Sequence, residues 1–161
     1  MNVRNESGFT LIELMIVIAI ISVLATMAVP SFQDRVIRAQ VQEALTLSRM
    51  AEEEIENFYK AHGRLPADNA AIGLPVPEII VGNYVTAVTI REGAIHITLG
   101  NRVNRHVAGK ILSIRSAVVA RSAKVPIAWV RGKASVPNGM VVKGENRTNL
   151  FLRHLPFSYR Y

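Results

Sequence analysis

Three acids are placed where they could do chemistry. Glu13 sits alone in "GFTLIELMIVIAI", an acid in an otherwise oily run, and Glu52 and Glu56 lie one helical turn apart further along. A carboxylate in an apolar segment needs a cationic partner, and a carboxylate pair can hold a metal or divide acid and base roles. Glu52 and Glu56 have no histidine or third acid nearby, so they read as a solvated helix face. His62, His96, His106 and His154 show no HExxH or other ligand spacing and read as exposed or core-satisfied. There is no cysteine, which excludes disulfides, thiolate metal sites and a cysteine nucleophile, and leaves the redox compartment undetermined. GxSxG, GxxxxGK[ST] and GxGxxG are also missing. The chain reads as a non-enzyme that needs no cofactor or metal.

The elements that carry these residues follow from patterning. A chain of 161 residues suggests one compact domain plus an accessory segment. From Phe9 to Val29 the only side chains more polar than alanine are Thr10, Glu13, Ser22 and Thr26. As a helix this run is about 31 Å long, one bilayer core. It is too long for the apolar stretch of a cleaved secretory signal and leads into further helix instead of a small-x-small site. Arg4 before it, against Asp34 and Arg35 after it, weakly favours an inside N-terminus.

Pro30 should kink or loosen the helix. Beyond it Ile37, Val41, Ala44, Ser48, Ala51, Ile55 and Phe58 recur at steps of four and three, a stripe for packing, with charged residues between them. "AHGRLP" ends the helix, with Gly63 as cap and Pro66 as stop. Phe9 to about His62 would be one helix of roughly 80 Å. The Pro- and Gly-rich residues 63–83 read as a connecting loop. Within 84–131, "YVTAVTI" and "AIHITL" form a hairpin turning near Glu92 and Gly93, and "KILSIRSAVV" and "VPIAWV" supply two more strands. Residues 132–161 are turn-rich. The expected class is α+β, a long helix on an antiparallel sheet of about four strands.

These residues resemble a known family. "GFTLIELMIVIAIISVLATMAVPSFQDRVIRAQVQEAL" is similar to the N-terminus of type IV pilins, and "AWVRGKASVPNGMVVKGENRTN", with the later "LP" and "YR", is similar to the C-terminal region of short-leader major pilins. The resemblance implies that residues 1–8 are a leader, that prepilin peptidase cuts between Gly8 and Phe9, and that the new Phe9 amine is N-methylated. Residues 9–30 would then be the transmembrane and filament-core helix, and 31–161 the globular pilin domain. A glycine at the cut leaves the peptide bond open to the peptidase.

The resemblance also gives Glu13 a partner. A carboxylate at membrane depth costs about 2.5 to 3.5 kcal/mol on insertion scales. The Phe9 amine of a neighbouring subunit would offset that cost during assembly; in an isolated monomer Glu13 could instead snorkel to the interface. Ser22 and Pro30 bracket the stretch where the family's helix can unwind. Ser22 stands where many relatives carry glycine, and a simple kink at Pro30 is the alternative. Arg131 and Tyr159 occupy the positions of the family's C-terminal cysteine pair. The missing bridge removes about 3 to 4 kcal/mol on a loop-entropy argument. Either Arg131 stacks on Tyr159, worth about 0.5 to 2 kcal/mol, or Leu150, Leu152, Leu155 and Phe157 alone dock the tail, or the tail is floppy.

Charge is segregated. Residues 1–90 carry 6 Lys+Arg against 10 Asp+Glu, and residues 91–161 carry 13 against 2. The basic half either attracts DNA, acidic glycans or an anionic surface, or is a solvated sheet surface, or complements the acidic "EEEIE" of a neighbouring subunit. Trp129, Phe151, Phe157, Tyr159 and Tyr161 could stack on bases, and packing is the simpler expectation. "NRT" at 146–148 matches a glycan acceptor pattern. The expected function is that of a type IV pilus subunit, held in the bacterial inner membrane before export into an extracellular pilus that serves adhesion, twitching motility or DNA uptake. The implied partners are other copies of the chain, prepilin peptidase and the inner-membrane assembly machinery. The alternatives are a minor DNA-binding pilin and a type II secretion pseudopilin.

Overall fold

The computed structural model describes residues 8–120, 122 and 125–160, without the side chains of residues 28–31 and 158. Helix α1 runs from Leu11 to His62, and the chain divides into two compact units, residues 1–35 and 36–161. In the first unit α1 is apolar nearly throughout. Its membrane-length window has a mean hydropathy of 2.6 and none of it is buried. The helix starts from Thr10, whose N–H and hydroxyl donate to Glu13 Oε2 at 2.9 and 2.8 Å while Glu13 N–H donates to Thr10 Oγ1 at 3.3 Å. This is a reciprocal capping box, and it satisfies donors that a helix start leaves bare.

In the second unit the rest of α1 packs on an antiparallel sheet. Strands β1 (Val85–Arg91), β2 (Ala94–Leu99), β3 (Ile111–Val118) and β4 (Ala128–Arg131) lie in spatial order 1-2-3-4. Among the described residues the sheet has five strands where about four were expected: β5 (Val141–Val142) pairs with β3 at Ala117 and Val118. It takes the side of β3 that β2 leaves open, because β2 begins at Ala94, opposite Arg115. Two residues carry too little periodicity to be read as a strand. Within the β1–β2 hairpin Glu92 and Gly93 have φ of 48° and 78°, the two positive values that a two-residue turn of right-handed twist requires.

The core lies between α1 and one sheet face. Ile37, Val41, Ala44, Ser48, Ala51 and Ile55 are buried as the stripe predicts, facing Ile95, Ile97, Leu112 and Ile114. The stripe is wider than expected. Leu45, Glu52 and Tyr59 are buried too, whereas Phe58 is half-buried and stacks on His62. A helix packed on a sheet buries an arc wider than a narrow seam, which brings in residues beside the steps of four and three. α1 ends where Gly63 N–H donates to Tyr59 O at 2.9 Å.

Outside the core, the connecting loop covers the free edge of β1. Buried Asn69 accepts from Ile90 N–H at 2.7 Å and donates to Val88 O at 2.9 Å and Pro75 O at 3.1 Å. An edge strand with its groups engaged is protected from pairing with another chain.

Candidate assembly surfaces and the tail lock

Phe9, just ahead of α1, is exposed, and the apolar half of α1 presents Leu11, Ile12, Leu14, Met15 and Ile16 to solvent, along with the large apolar residues that follow as far as Met27. Its hydroxyls are internally satisfied. Ser22 Oγ donates to Ile18 O at 2.7 Å and Thr26 Oγ1 to Val23 O at 2.7 Å, so neither adds an unpaired polar group to an apolar surface. Gly8 precedes the helix and nothing stands within 4 Å of where its Cβ would be. Helical backbone continues through Pro30, whose side chain lies outside the described residues, as do residues 1–7 of the expected leader. Glu13 is partnered by Thr10 within its own chain, a third option beside the Phe9 amine and snorkelling. The T-x-x-E spacing at the mouth of an apolar helix was a signal sufficient to find it.

In the second unit the structure joins residues that the sequence left apart. Arg131 Nη2 lies 2.8 Å from Glu52 Oε2, and its guanidinium carbon is 5.6 Å from the Tyr159 ring centroid. Ser48 Oγ lies 3.0 Å from Glu52 Oε1. Trp129, two residues before Arg131 on β4, donates its indole N–H to Glu56 Oε1 at 3.0 Å, and Lys60 Nζ sits 3.8 Å from Glu56 Oε2. Glu52 and Glu56 are therefore not a solvated face. They clamp β4 to α1, and no pattern within the helix alone could reveal partners 73 and 79 residues away.

The stacking of Arg131 on Tyr159 is present, at the positions where the resemblance puts the cysteines. Of the four apolar residues expected to dock the tail, Leu150 and Leu155 are buried, and Leu152 and Phe157 are exposed. Phe151 is exposed as well, while Trp129 and Tyr159 are half-buried; Tyr161 lies outside the described residues. Arg153 covers the Phe151 ring at 5.0 Å and Arg160 the Phe157 ring at 4.4 Å.

A strap of chain crosses the sheet face away from α1. Lys143 N–H donates to Ser116 O on the β2 side of β3; on the β4 side Ser113 N–H donates to Thr148 Oγ1 and Asn149 N–H to Ile111 O. Between these anchors Arg147 N–H donates to Ser113 Oγ at 2.9 Å. His96 is buried beneath the strap and shares a 2.9 Å hydrogen bond between Nδ1 and that same hydroxyl. Among the described residues no hydrogen-bond partner faces its Nε2. Burial, then Arg147, then Arg91 hold the imidazole below its usual range, with Glu145 opposing, so His96 is neutral at neutral pH. His154 is also buried, and His62 and His106 are exposed. Asn146 of the NRT sequence donates to Gly132 O at 2.9 Å. No cluster of His, Cys, Asp or Glu suited to a metal ion occurs among the described residues.

A capped apolar helix continuing into a helix packed on an antiparallel meander defines a subunit built for burial along its N-terminal rod. The sequence agrees: residues 3–29 match the prokaryotic N-terminal methylation motif and residues 37–144 match the pilin (bacterial filament) family. The chain is 35% identical to a type IV major pilin of Neisseria gonorrhoeae, over 96% of this chain and 87% of that protein. It is 34% identical to a fimbrial protein of Neisseria meningitidis serogroup B, over 96% of this chain and 94% of the other. It is 41% identical to a fimbrial protein of Eikenella corrodens, over 68% of this chain and 74% of the other. The chain belongs to the pilin family of bacterial filament proteins.

Proposed function

We propose that this chain is the repeating structural subunit of a type IV pilus. Residues 1–8 act as a leader removed by prepilin peptidase between Gly8 and Phe9, with methylation of the Phe9 amine. Residues 9–30 anchor the precursor in the inner membrane and then form the filament core through the pilus assembly machinery, and residues 31–161 form the outward-facing domain. One observation carries this reading: a membrane-length helical window with mean hydropathy 2.6 and none of it buried must be covered, first by lipid and then by other copies of itself. About 25 cal/mol is gained per Å² of apolar surface taken from water. A rod of this composition therefore has no stable state in bulk water.

In the assembled fibre the Phe9 amine of one subunit gives Glu13 of the next the charge partner that the neutral Thr10 donors do not supply. Ser22 and Pro30 bound the segment where the helix yields during packing. Adhesion, twitching motility or DNA uptake then belong to the fibre.

Glu13→Gln separates the two roles of Glu13, because glutamine also serves at the third position of a capping box while carrying no charge. Cells expressing only this variant should make few or no fibres although the protein accumulates in the membrane. Wild-type fibre yield from the variant would remove the charge pairing. Mass spectrometry of sheared wild-type fibres should find the chain as the bulk component, beginning at methylated Phe9.

A second reading, capture of DNA or another polyanion, is favoured by Phe151 and Phe157 exposed in the basic half. Binding of fibres to duplex DNA that weakens steeply as salt rises would support it.

A further inference from the structure

The end of the second unit at which the chain enters carries cations and no acids. Three segments meet there. In the loop between β2 and β3, Asn104 N–H donates to Gln40 Oε1 of α1 at 2.9 Å. Asn149 N–H donates to Ile111 O, and its Oδ1 accepts from Ile111 N–H at 2.7 Å, so the tail starts beside the first residue of β3. Arg38 Nη1 and Arg160 Nη2 both donate to Arg153 O, at 3.4 and 3.2 Å, which closes the tail back onto α1. Residues 36–42, 100–110 and 150–161 hold Arg38, Arg102, Arg105, Lys110, Arg153 and Arg160 against no Asp or Glu. The first acid of α1 within this unit, Glu43, accepts from Asn83 at 3.2 Å. The acidic run of Glu52, Glu53, Glu54 and Glu56 begins about 24 Å beyond Val36 along the helix.

The same end exposes apolar surface. Phe151, Leu152 and Phe157 are all exposed. The guanidinium carbons of Arg153 and Arg160 lie 5.0 and 4.4 Å from the ring centroids of Phe151 and Phe157. Arginines laid over exposed rings suit a bilayer interface, where the rings enter the acyl boundary and the guanidinium groups reach lipid phosphates.

Chain length favours a membrane over a soluble polyanion as the occupant. Val29, the last residue of the apolar run, stands seven residues before Val36, a reach of at most about 25 Å. A bilayer that holds the run therefore lies within that reach of the basic end. Tethering of this kind makes the contact intramolecular in effect, so weak attractions suffice. DNA has no such tether.

We propose that, before assembly, this end of the domain lies on the membrane that holds the rod, with Arg38, Arg153 and Arg160 on anionic phospholipid headgroups and Phe151, Leu152 and Phe157 in the interface. This rests on the anchoring reading above and goes beyond it, making the domain a membrane-binding part in its own right. Withdrawal of a subunit into a fibre must then break headgroup contacts as well as extract the rod.

The chain has no cysteine, so a single engineered one reports without background. The full chain with Leu152→Cys, carrying a fluorophore, is reconstituted in vesicles of phosphatidylcholine or of an equal mixture with phosphatidylglycerol. Quenching by lipids spin-labelled at the headgroup should be at least threefold stronger in the anionic vesicles and should weaken as salt rises. Arg38→Glu with Arg153→Glu should abolish the difference, and unchanged Trp129 fluorescence would show that the fold is kept. A fluorophore at Val141→Cys, 47% exposed and paired with Val118 at the far end of β3, should respond equally in both vesicles. Equal quenching at residue 152 in both vesicles, indifferent to salt and to the reversals, would overturn the contact and leave the arginines to a soluble polyanion. A signal that vanishes as the protein is diluted in lipid would also overturn it, in favour of a second copy of the chain. Failure of the wild-type chain to float with vesicles of either kind is a different result, and it would overturn the anchoring reading itself.

Discussion

The Arg131 guanidinium lies 2.8 Å from the Glu52 carboxylate and 5.6 Å from the centre of the Tyr159 ring, so one side chain on β4 joins the buried face of α1 to the end of the tail. Arg131 and Tyr159 stand at the positions where the resemblance implies a cysteine pair. Here the cross-link is electrostatic and three-way.

Glu52 is 11% exposed at its side chain and Arg131 30%, so breaking the pair leaves a largely desolvated charge behind. Glu52→Ala should destabilise the protein by about 2 to 4 kcal/mol, because the cost of removing one partner exceeds the net worth of the pair. Glu52→Leu combined with Arg131→Met should recover much of that loss, since an apolar pair of similar volume carries no desolvation penalty. Urea unfolding in detergent, followed by the fluorescence of the single tryptophan Trp129 beside the lock, measures both. A double variant as unstable as Glu52→Ala would show that the charge pair itself, not packing of similar volume, holds β4 to α1. Tyr159→Ala should cost less, about 0.5 to 2 kcal/mol for the lost cation-π contact.

His96 makes stability depend on pH. Its folded-state pKa lies below the ordinary 6.5 because burial disfavours the imidazolium and Arg147 and Arg91 repel it, Glu145 only partly offsetting them. The unfolded chain thus binds a proton that the folded chain refuses. The stabilising contribution is complete above pH 6.5 and is lost as pH falls from there through the folded value. Between pH 8 and pH 5 the wild-type urea midpoint should drop more than that of His96→Leu, the difference isolating this residue from His62, His106 and His154. Parallel curves would exclude His96 as the source.

Asn69 is the principal clasp of the connecting loop on β1. Asn69→Ala removes the acceptor of Ile90 N–H and the donor to Val88 O, both facing a covered edge. With unsatisfied buried groups costing about 1 to 3 kcal/mol each, the two together should cost the variant about 2 to 6 kcal/mol. Amide exchange at Ile90 should accelerate more than at Ile97 in the central strand β2. Uniform acceleration would mean global loss of stability without local opening of the loop.

Much of this fold could be read from the chain, and the reason differs by element. The rod, the stripe from Ile37 to Ile55 and the Glu92–Gly93 hairpin depend on neighbours within a few residues, where period and turn chemistry speak directly. The lock, the clasp and the strap depend on pairs such as Glu52 with Arg131, Asn69 with Ile90 and Ser113 with Arg147. In each, a polar residue is buried because a distant segment satisfies it, which composition does not encode. Glu52 shows the point most clearly. Surrounded by Glu53, Glu54 and Glu56 it has every local mark of a wet face, and one long-range arginine reverses the outcome.

The strap over His96 depends on Gly144. Its φ is 77°, and a methyl group there would run into Ala94 Cβ, with Ala94 N and Arg91 O each 3.2 Å away. Gly139 has nearly the same backbone, φ 79°, with nothing within 4 Å of a would-be Cβ. The two alanine variants therefore separate backbone strain from close approach. Gly139→Ala should cost about 1 to 2 kcal/mol, the penalty of a left-handed conformation for a residue with a Cβ. Gly144→Ala should cost that and more, since β2 begins at Ala94 and its backbone cannot withdraw without breaking the Arg91–Ala94 pair. Lifting the strap would expose His96, so Gly144→Ala should also flatten the acid limb of the stability curve, which Gly139→Ala leaves intact. Equal losses in the two variants, with unchanged pH curves, would mean that the strap does not seal the histidine.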